Sequence, residues 1–361
     1  MNKSTENAKV VVISDAEPDD LISIRMFLKE FVKRKVAAEN IFILSTLRNS
    51  LESAQVLDKI IKPIYPTLFS HVGSSSTKKP FVDKSGLLIT SPEKEDEKKS
   101  EENSQQSNGV DKMIKFINEA KDKFVDILLL APAIDLSDYT TSRISPEKIR
   151  GIWSWGGLTL VKTEEEKDEK STSLSQESKQ TTSSSSQLTR SPQAVDSKQA
   201  SFNWRTSPQE TIHLLNWAQK NKISYTICTP AIYQTTSAWS NFSGVTEENC
   251  PVFTKKLKED KELFLVATWI KQWNEICPEA VKKRCNIGPE SLQFTPADPC
   301  CIATYLWPSE MIGASGCEKI ILDDNQLVKR LTKEDELTTT STISFINEIN
   351  YKFFIDRLCE L

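Results

Sequence analysis

No run of 18 or more apolar residues occurs in the chain, so no segment reads as spanning a membrane. The first residues, Met1-Asn2-Lys3-Ser4-Thr5-Glu6-Asn7, are polar and lack the apolar stretch of a secretory signal, so a cytoplasmic location is expected. Neither sign of charge is in excess: 46 Lys and Arg stand against 50 Asp and Glu, a net charge of −4. That balance argues against phosphate-backbone binding, and nucleic acid is not expected as a partner. Histidine is scarce, with only His71 and His213, and none of the eight cysteines forms a CxxC pair. A structural zinc site is therefore not expected. All eight cysteines lie after residue 227, and without a signal they read as reduced, buried thiols.

Apolar residues are also few, at 38% of the chain. Two segments account for the shortage. Residues 91–108 read SPEKEDEKKSEENSQQSN, with no apolar residue, and residues 162–200 begin KTEEEKDEK and carry ten serines from 171 onward. Neither can bury enough surface to offset its ordering entropy, so both are expected to be low-complexity, disordered inserts.

Outside them, apolar strands alternate with amphipathic helices. Strands are expected at Lys9–Ser14, Ile41–Thr46, Val125–Leu130, Gly151–Trp155 and Ile223–Thr229. Helices are expected at Leu21–Lys35, Leu51–Ile61, Asp111–Lys123 and Pro208–Asn221. Continuous apolar strands between such helices predict an α/β fold: a single large domain over residues 8–361, with a mostly parallel central sheet and helices on both faces. In such sheets ligands bind beyond the carboxyl ends of the strands.

The first strand is followed by Ser14-Asp15-Ala16-Glu17-Pro18-Asp19-Asp20. Four carboxylates within six residues repel one another unless a positive charge sits among them, and clustered carboxylate oxygens suit a hard cation. The same pattern fits two other readings. Acidic residues follow the first strand in response-regulator receiver domains, and an Asp-Asp pair favours the start of a helix through its dipole.

Other strand ends add to the first. They read Arg48-Asn49, Ala131-Pro132-Ala133-Ile134-Asp135, Trp155-Gly156-Gly157, Ser201-Phe202-Asn203 followed by Ser207-Pro208, and Ala297-Asp298-Pro299. Taken in order, these resemble the motifs of the inosine–uridine-preferring nucleoside hydrolase family. That family opens with D-P-G-x-D-D, and Asp15, Asp19 and Asp20 keep its three carboxylates at the same spacing. Its Gly-Asn, G-P-L-T-N, Gly-Gly, E-F-N and His-Asp-Pro motifs are similar to the others in turn. The resemblance covers most of residues 9–361 outside the inserts.

The resemblance implies a nucleoside hydrolase-like fold with a calcium ion at the base of a ribose pocket. Asp15, Asp20 and Asp298 would supply carboxylate oxygens and Ile134 its backbone carbonyl. Asp15 would take the proton of the attacking water, and Asp19, Asn49 and Asn203 would hold ribose hydroxyls. The substrate would be a small-molecule ribosyl compound, and family members are commonly homo-oligomers. Two departures bear on the chemistry. Ala297 stands where the family commonly has the His that protonates the leaving base, and a methyl group cannot donate a proton. Ser201 replaces a Glu that accepts from the ribose 5′-hydroxyl, which opens the site to a 5′-substituted sugar, with Arg205 close by in sequence.

His71, after the apolar run Ile64–Phe69, is a candidate replacement acid if it lies at a strand end near the pocket. The tryptophans Trp153, Trp155, Trp204 and Trp307 are candidates to stack on a base, although a tryptophan at a strand end is more often core. Three functions follow. The first is a calcium-dependent N-ribosyl hydrolase whose leaving group needs no proton, such as nicotinamide. The second is a catalytically impaired protein that keeps the pocket to bind a ribosyl ligand or a protein partner. A receiver-like regulatory domain, the third, would need Asp135 and Lys162 in roles they fit poorly.

Overall fold

Val10, Val11, Val12 and Ile13 are all fully buried, and they divide between two separate apolar cores. Val10 and Val12 join one and Val11 and Ile13 the other, as successive side chains of a strand covered on both faces must. The computed structural model of the protein describes residues 9–47, 50–75, 81–82, 88–89, 99–120, 124–157, 200–235, 244–276, 291–312, 317–322, 328–331 and 341–361.

Among the described residues the strands are β1 (Lys9–Ser14), β2 (Ile41–Leu47), β3 (Ser70–Ser75), β4 (Phe81–Val82), β5 (Leu88–Ile89), β6 (Val125–Leu129), β7 (Ile149–Trp155), β8 (Ser224–Cys228), β9 (Cys317–Leu322), β10 (Val328–Arg330) and β11 (Ile343–Ile346). Nine form one sheet in the order β10-β9-β11-β8-β7-β6-β1-β2-β3, and β4 and β5 pair separately. From β3 to β11 every neighbour is parallel; β9 and β10 add an antiparallel edge. This is the single α/β domain with a mostly parallel sheet that the sequence pattern predicts.

Helices α1 (Pro18–Lys33) and α2 (Ser50–Ile61), with those at 251–259, 264–276, 297–306 and 351–359, line one face through residues such as Leu21, Phe27, Leu57, Phe253, Ile270 and Ile302. Helix α3 (Lys99–Asn118) and the helix Pro208–Lys220 line the other through Met113, Ile117, Leu214 and Leu215.

Several expectations shift. The helix predicted to begin at Asp111 begins at Lys99, so residues 99–108 of the first expected insert are helical. Lys, Glu, Ser and Gln are compatible with a helix once an apolar segment nucleates it, and composition alone is blind to that extension. Residues 91–98 and 162–199 lie outside the described residues. The third strand is not the apolar run Ile64–Phe69 but the polar Ser70–Ser75, hydrogen-bonded at the sheet edge to β2.

Order in the sheet places the site. From β1 the chain runs to β2 and β3 on one side, then crosses to β6, β7 and β8 on the other. The strand order therefore reverses between β1 and β6, and the crevice beyond their carboxyl ends is where such sheets bind ligands.

Candidate functional site

At the end of β1 the chain must turn sharply into α1. Ala16 makes that turn in the left-handed region, with φ of 59°. Only glycine enters this region without steric cost, and for alanine the cost is about 1–2 kcal/mol. The Ala16 N–H donates to Ser14 Oγ at 3.1 Å, and its carbonyl accepts from the Trp269 indole at 2.9 Å. Glu17 then caps α1: its own N–H donates to Asp20 Oδ2 at 3.1 Å, in a capping-box arrangement, and Pro18 opens the first turn.

Asp19 and Asp20 thus occupy the first turn of α1, and Asp298 occupies the first turn of the helix 297–306, which packs against α1. The Asp298 N–H points to Asp19 Oδ2 at 3.4 Å. One carboxylate oxygen from each of Asp19, Asp20 and Asp298 lies within 4.8 Å of the other two. Asp20 and Asp298 are buried, and the Oδ1 atom of each accepts no hydrogen bond. Burial pushes the Asp20 carboxyl well above the usual carboxylate range, and the charges of Asp15 and Asp19 push it further. Asp298 is raised by burial, then by Asp20, Asp19 and Asp15. The positive ends of two helices ease this repulsion without removing it.

Asp20 and Asp298 thus offer hard oxygen donors with unused lone pairs out of contact with water, beside the half-buried Asp19, and these residues fit a hard divalent cation. Of the residues proposed from sequence, the structure brings Asp19, Asp20 and Asp298 together. Asp15 is buried beside them and acts on Asp20 and Asp298 through its charge, while Asp19, expected only to touch the sugar, stands among the converging carboxylates.

Ile134 lies in the 3-10 turn Ala133–Leu136 just beyond β6. That turn is pinned by Asp135, whose carboxylate accepts the Ser74 N–H at 3.1 and 3.2 Å. Gly73 makes room for it, since a Cβ there would stand 2.5 Å from Asp135 Oδ2. Asn203 sits in the short helix Phe202–Thr206, and its side-chain amide donates to the carbonyls of Leu130 and Trp155 at 3.0 and 3.3 Å. It thereby ties the ends of β6 and β7 together. Asn49 lies outside the described residues, as does Arg48.

Neither departure noted in the sequence is repaired by His71. Its ring stacks on Phe42 at 4.3 Å and meets the Phe69 edge at 4.8 Å, near the start of β3 and away from the strand carboxyl ends. Ala297 is the first residue of its helix, next to Asp298. The Ser201 hydroxyl is buried without a hydrogen-bond partner, and the Ser201 N–H donates to Gly157 O at 2.9 Å. Trp204 is core, packed on Phe345.

Sequence reasoning missed two aromatic residues here. Tyr233, just past the end of β8, packs against Trp155 with ring centroids 5.4 Å apart. Burial raises its phenol, with Cys300, Asp19 and Asp298 adding to the effect, so its hydroxyl is near the cluster. The strand-end rule could have found Tyr233. Trp269 gives no such signal, because a tryptophan in an amphipathic helix reads as core.

No family model matches the chain, and no curated protein matches it in sequence. Solved structures do match in fold. A purine-preferring ribonucleoside hydrolase from Gardnerella vaginalis superposes with a TM-score of 0.54 at 13% identity, over 97% of this chain and 96% of that one. A plant nucleoside hydrolase gives 0.56 at 12% identity, over 98% of each chain. The type III effector protein XopQ, in complex with adenosine diphosphate ribose, gives 0.56 at 11% identity, over 98% of this chain and 92% of that one. The chain therefore has a nucleoside hydrolase-like fold.

Proposed function

We propose that the protein is a calcium-dependent hydrolase of the N-glycosidic bond of a ribosyl compound. The observation that carries this reading is the pair of buried, unpartnered carboxylate oxygens on Asp20 and Asp298, converging with Asp19 at the switch point of the sheet. The fold shared with nucleoside hydrolases supports it. Asp15, Asp20, Asp298 and the Ile134 carbonyl would hold the ion. When bound, a divalent cation supplies charge to offset the carboxylates and an anchor for vicinal sugar hydroxyls. Asp15 takes the proton of the attacking water, whose oxygen bonds to the anomeric carbon as the bond to the base breaks. Asp19, Asn49 and Asn203 hold the hydroxyls. Both amide protons of Asn203 are already given to backbone carbonyls, so its sugar contact falls to Oδ1.

The bond-breaking electron pair leaves with the base, and Ala297 has no proton to give it. A base attached as a pyridinium departs neutral and needs none, so nicotinamide riboside is the substrate of choice. Ser201 and the adenosine diphosphate ribose complex of a neighbour in fold favour sugars carrying a 5′-phosphate. Ribose release from nucleosides, nicotinamide riboside and its 5′-phosphate, with calcium and with chelator, tests the reading. Asp15→Ala should lower the rate by at least about 100-fold. Equal inactivity of wild type and Asp15→Ala on every compound would exclude an enzyme.

The missing donor at Ala297 favours a second reading, a ribosyl-binding protein without turnover. Calorimetry with adenosine diphosphate ribose separates the two: calcium-dependent binding with no product formed supports this one.

A further inference from the structure

The loop from Asp15 to Asp20 carries three carboxylates of the site, yet its shape depends on a residue more than two hundred positions away. Ala16, buried and left-handed, reverses the chain between Asp15 and α1. Its carbonyl receives the indole N–H of Trp269 at 2.9 Å. An indole only donates, and its rigid plane fixes where the acceptor must lie. The helix Phe264–Ile276 that carries Trp269 packs against α1, and Glu262 just before it pairs with the fully buried Arg25 of α1. This segment therefore contacts α1 and, through Trp269, the turn that precedes it. A left-handed alanine relaxes to a right-handed or extended conformation unless its surroundings hold it. Relaxation at Ala16 would swing Asp15 relative to Asp19 and Asp20.

We propose that Trp269 is a positioning residue for the carboxylate cluster: its N–H holds Ala16 in the conformation that lets Asp15, Asp19 and Asp20 face Asp298. The role assigned to Trp269 is exerted through the Ala16 backbone. The proposal rests on the cation reading for its consequence but not for the bracing itself, and the experiment separates the two.

Trp269→Phe keeps an aromatic ring and deletes the donor. Trp273→Phe, one turn on in the same helix, controls for the loss of an indole. Amide hydrogen exchange over residues 14–21 is measured in calcium-free protein, and calcium affinity by titration calorimetry. Trp269→Phe should exchange at least about tenfold faster in that segment and bind calcium about tenfold more weakly, while Trp273→Phe matches wild type in both. Unchanged exchange in Trp269→Phe overturns the proposal whatever calcium does. Faster exchange with unchanged calcium affinity also overturns it, because the brace would then not position the cluster. Faster exchange in a protein whose wild type binds no calcium upholds the brace and overturns the cation reading instead.

Discussion

His71 and Ala297 bear on one question, the source of a proton for the leaving group, and the structure answers it through surroundings that sequence does not reveal. Burial against Phe42 and Phe69 lowers the His71 imidazole to about 4, and the charge of Lys112 adds to the shift. A histidine held neutral in the fold but free to protonate near 6.5 when unfolded stabilises the protein fully only above that value. The unfolded chain binds the extra proton first, so stability should fall as pH drops from about 6.5 towards 4. His71→Phe, which keeps the stacking, should flatten that part of a denaturation-midpoint profile and leave ribosyl hydrolysis unchanged. A pH profile that His71→Phe leaves as it was would show that the fold does not hold His71 neutral. Asp135 shows the converse case. Its carboxylate is buried and raised by burial, yet the Ser74 N–H and the Ser74 and Thr46 hydroxyls satisfy it. Asp135→Ala should cost about 1–3 kcal/mol in chemical denaturation, because those donors lose their acceptor.

Two helix N-termini, those of α1 and of the helix 297–306, bring Asp19, Asp20 and Asp298 together, and burial and repulsion there outweigh what the helix dipoles give back. Burial and mutual repulsion raise Asp20 and Asp298, so their charged forms oppose folding. Asp20→Asn and Asp298→Asn should each stabilise the calcium-free protein by about 1–2 kcal/mol, read as a higher thermal midpoint. Each should also abolish the rise in midpoint that the proposed calcium site predicts for wild type. Variants less stable than wild type without calcium would show that these carboxylates serve the fold rather than a ligand. Much of this was legible in sequence: β1 is found where its β-branched run predicts it, and the spacing of Asp15, Asp19 and Asp20 marks the loop. The edge strand β3 was not legible, because Ser70, His71, Gly73, Ser74 and Ser75 carry no apolar pattern; pairing with β2 makes them a strand. Nor was the contact between Trp269 and Ala16, which depends on how two distant helices pack. The resemblance pointed to the carboxylates, while the contacts that hold their loop in place had to be seen in three dimensions.

For the whole molecule, one sheet gathers residues from Asp15 to Asp298 at a single crevice, so the site cannot be divided between separately folding parts. Gly157 and Ser201, 44 positions apart in sequence, nevertheless meet beyond β7. Gly157, just beyond β7, has a φ of 84°. The Ser201 N–H donates to Gly157 O at 2.9 Å, so the two ends of residues 158–199 are already side by side. Closing a shorter loop across that gap requires no rearrangement of β7 or of the helix bearing Asn203. Closure entropy grows only with the logarithm of loop length, so replacing roughly forty residues by about four alters stability by about 2 kcal/mol, in the stabilising direction. We therefore predict that a chain with residues 158–199 replaced by a short Gly-Ser turn keeps the calcium response proposed for the full chain and unfolds at an equal or slightly higher temperature. The comparison is made by thermal denaturation with and without calcium. A truncated chain that fails to fold would mean that residues 158–199 contribute to the core. One that folds but no longer responds to calcium would mean that they complete the site.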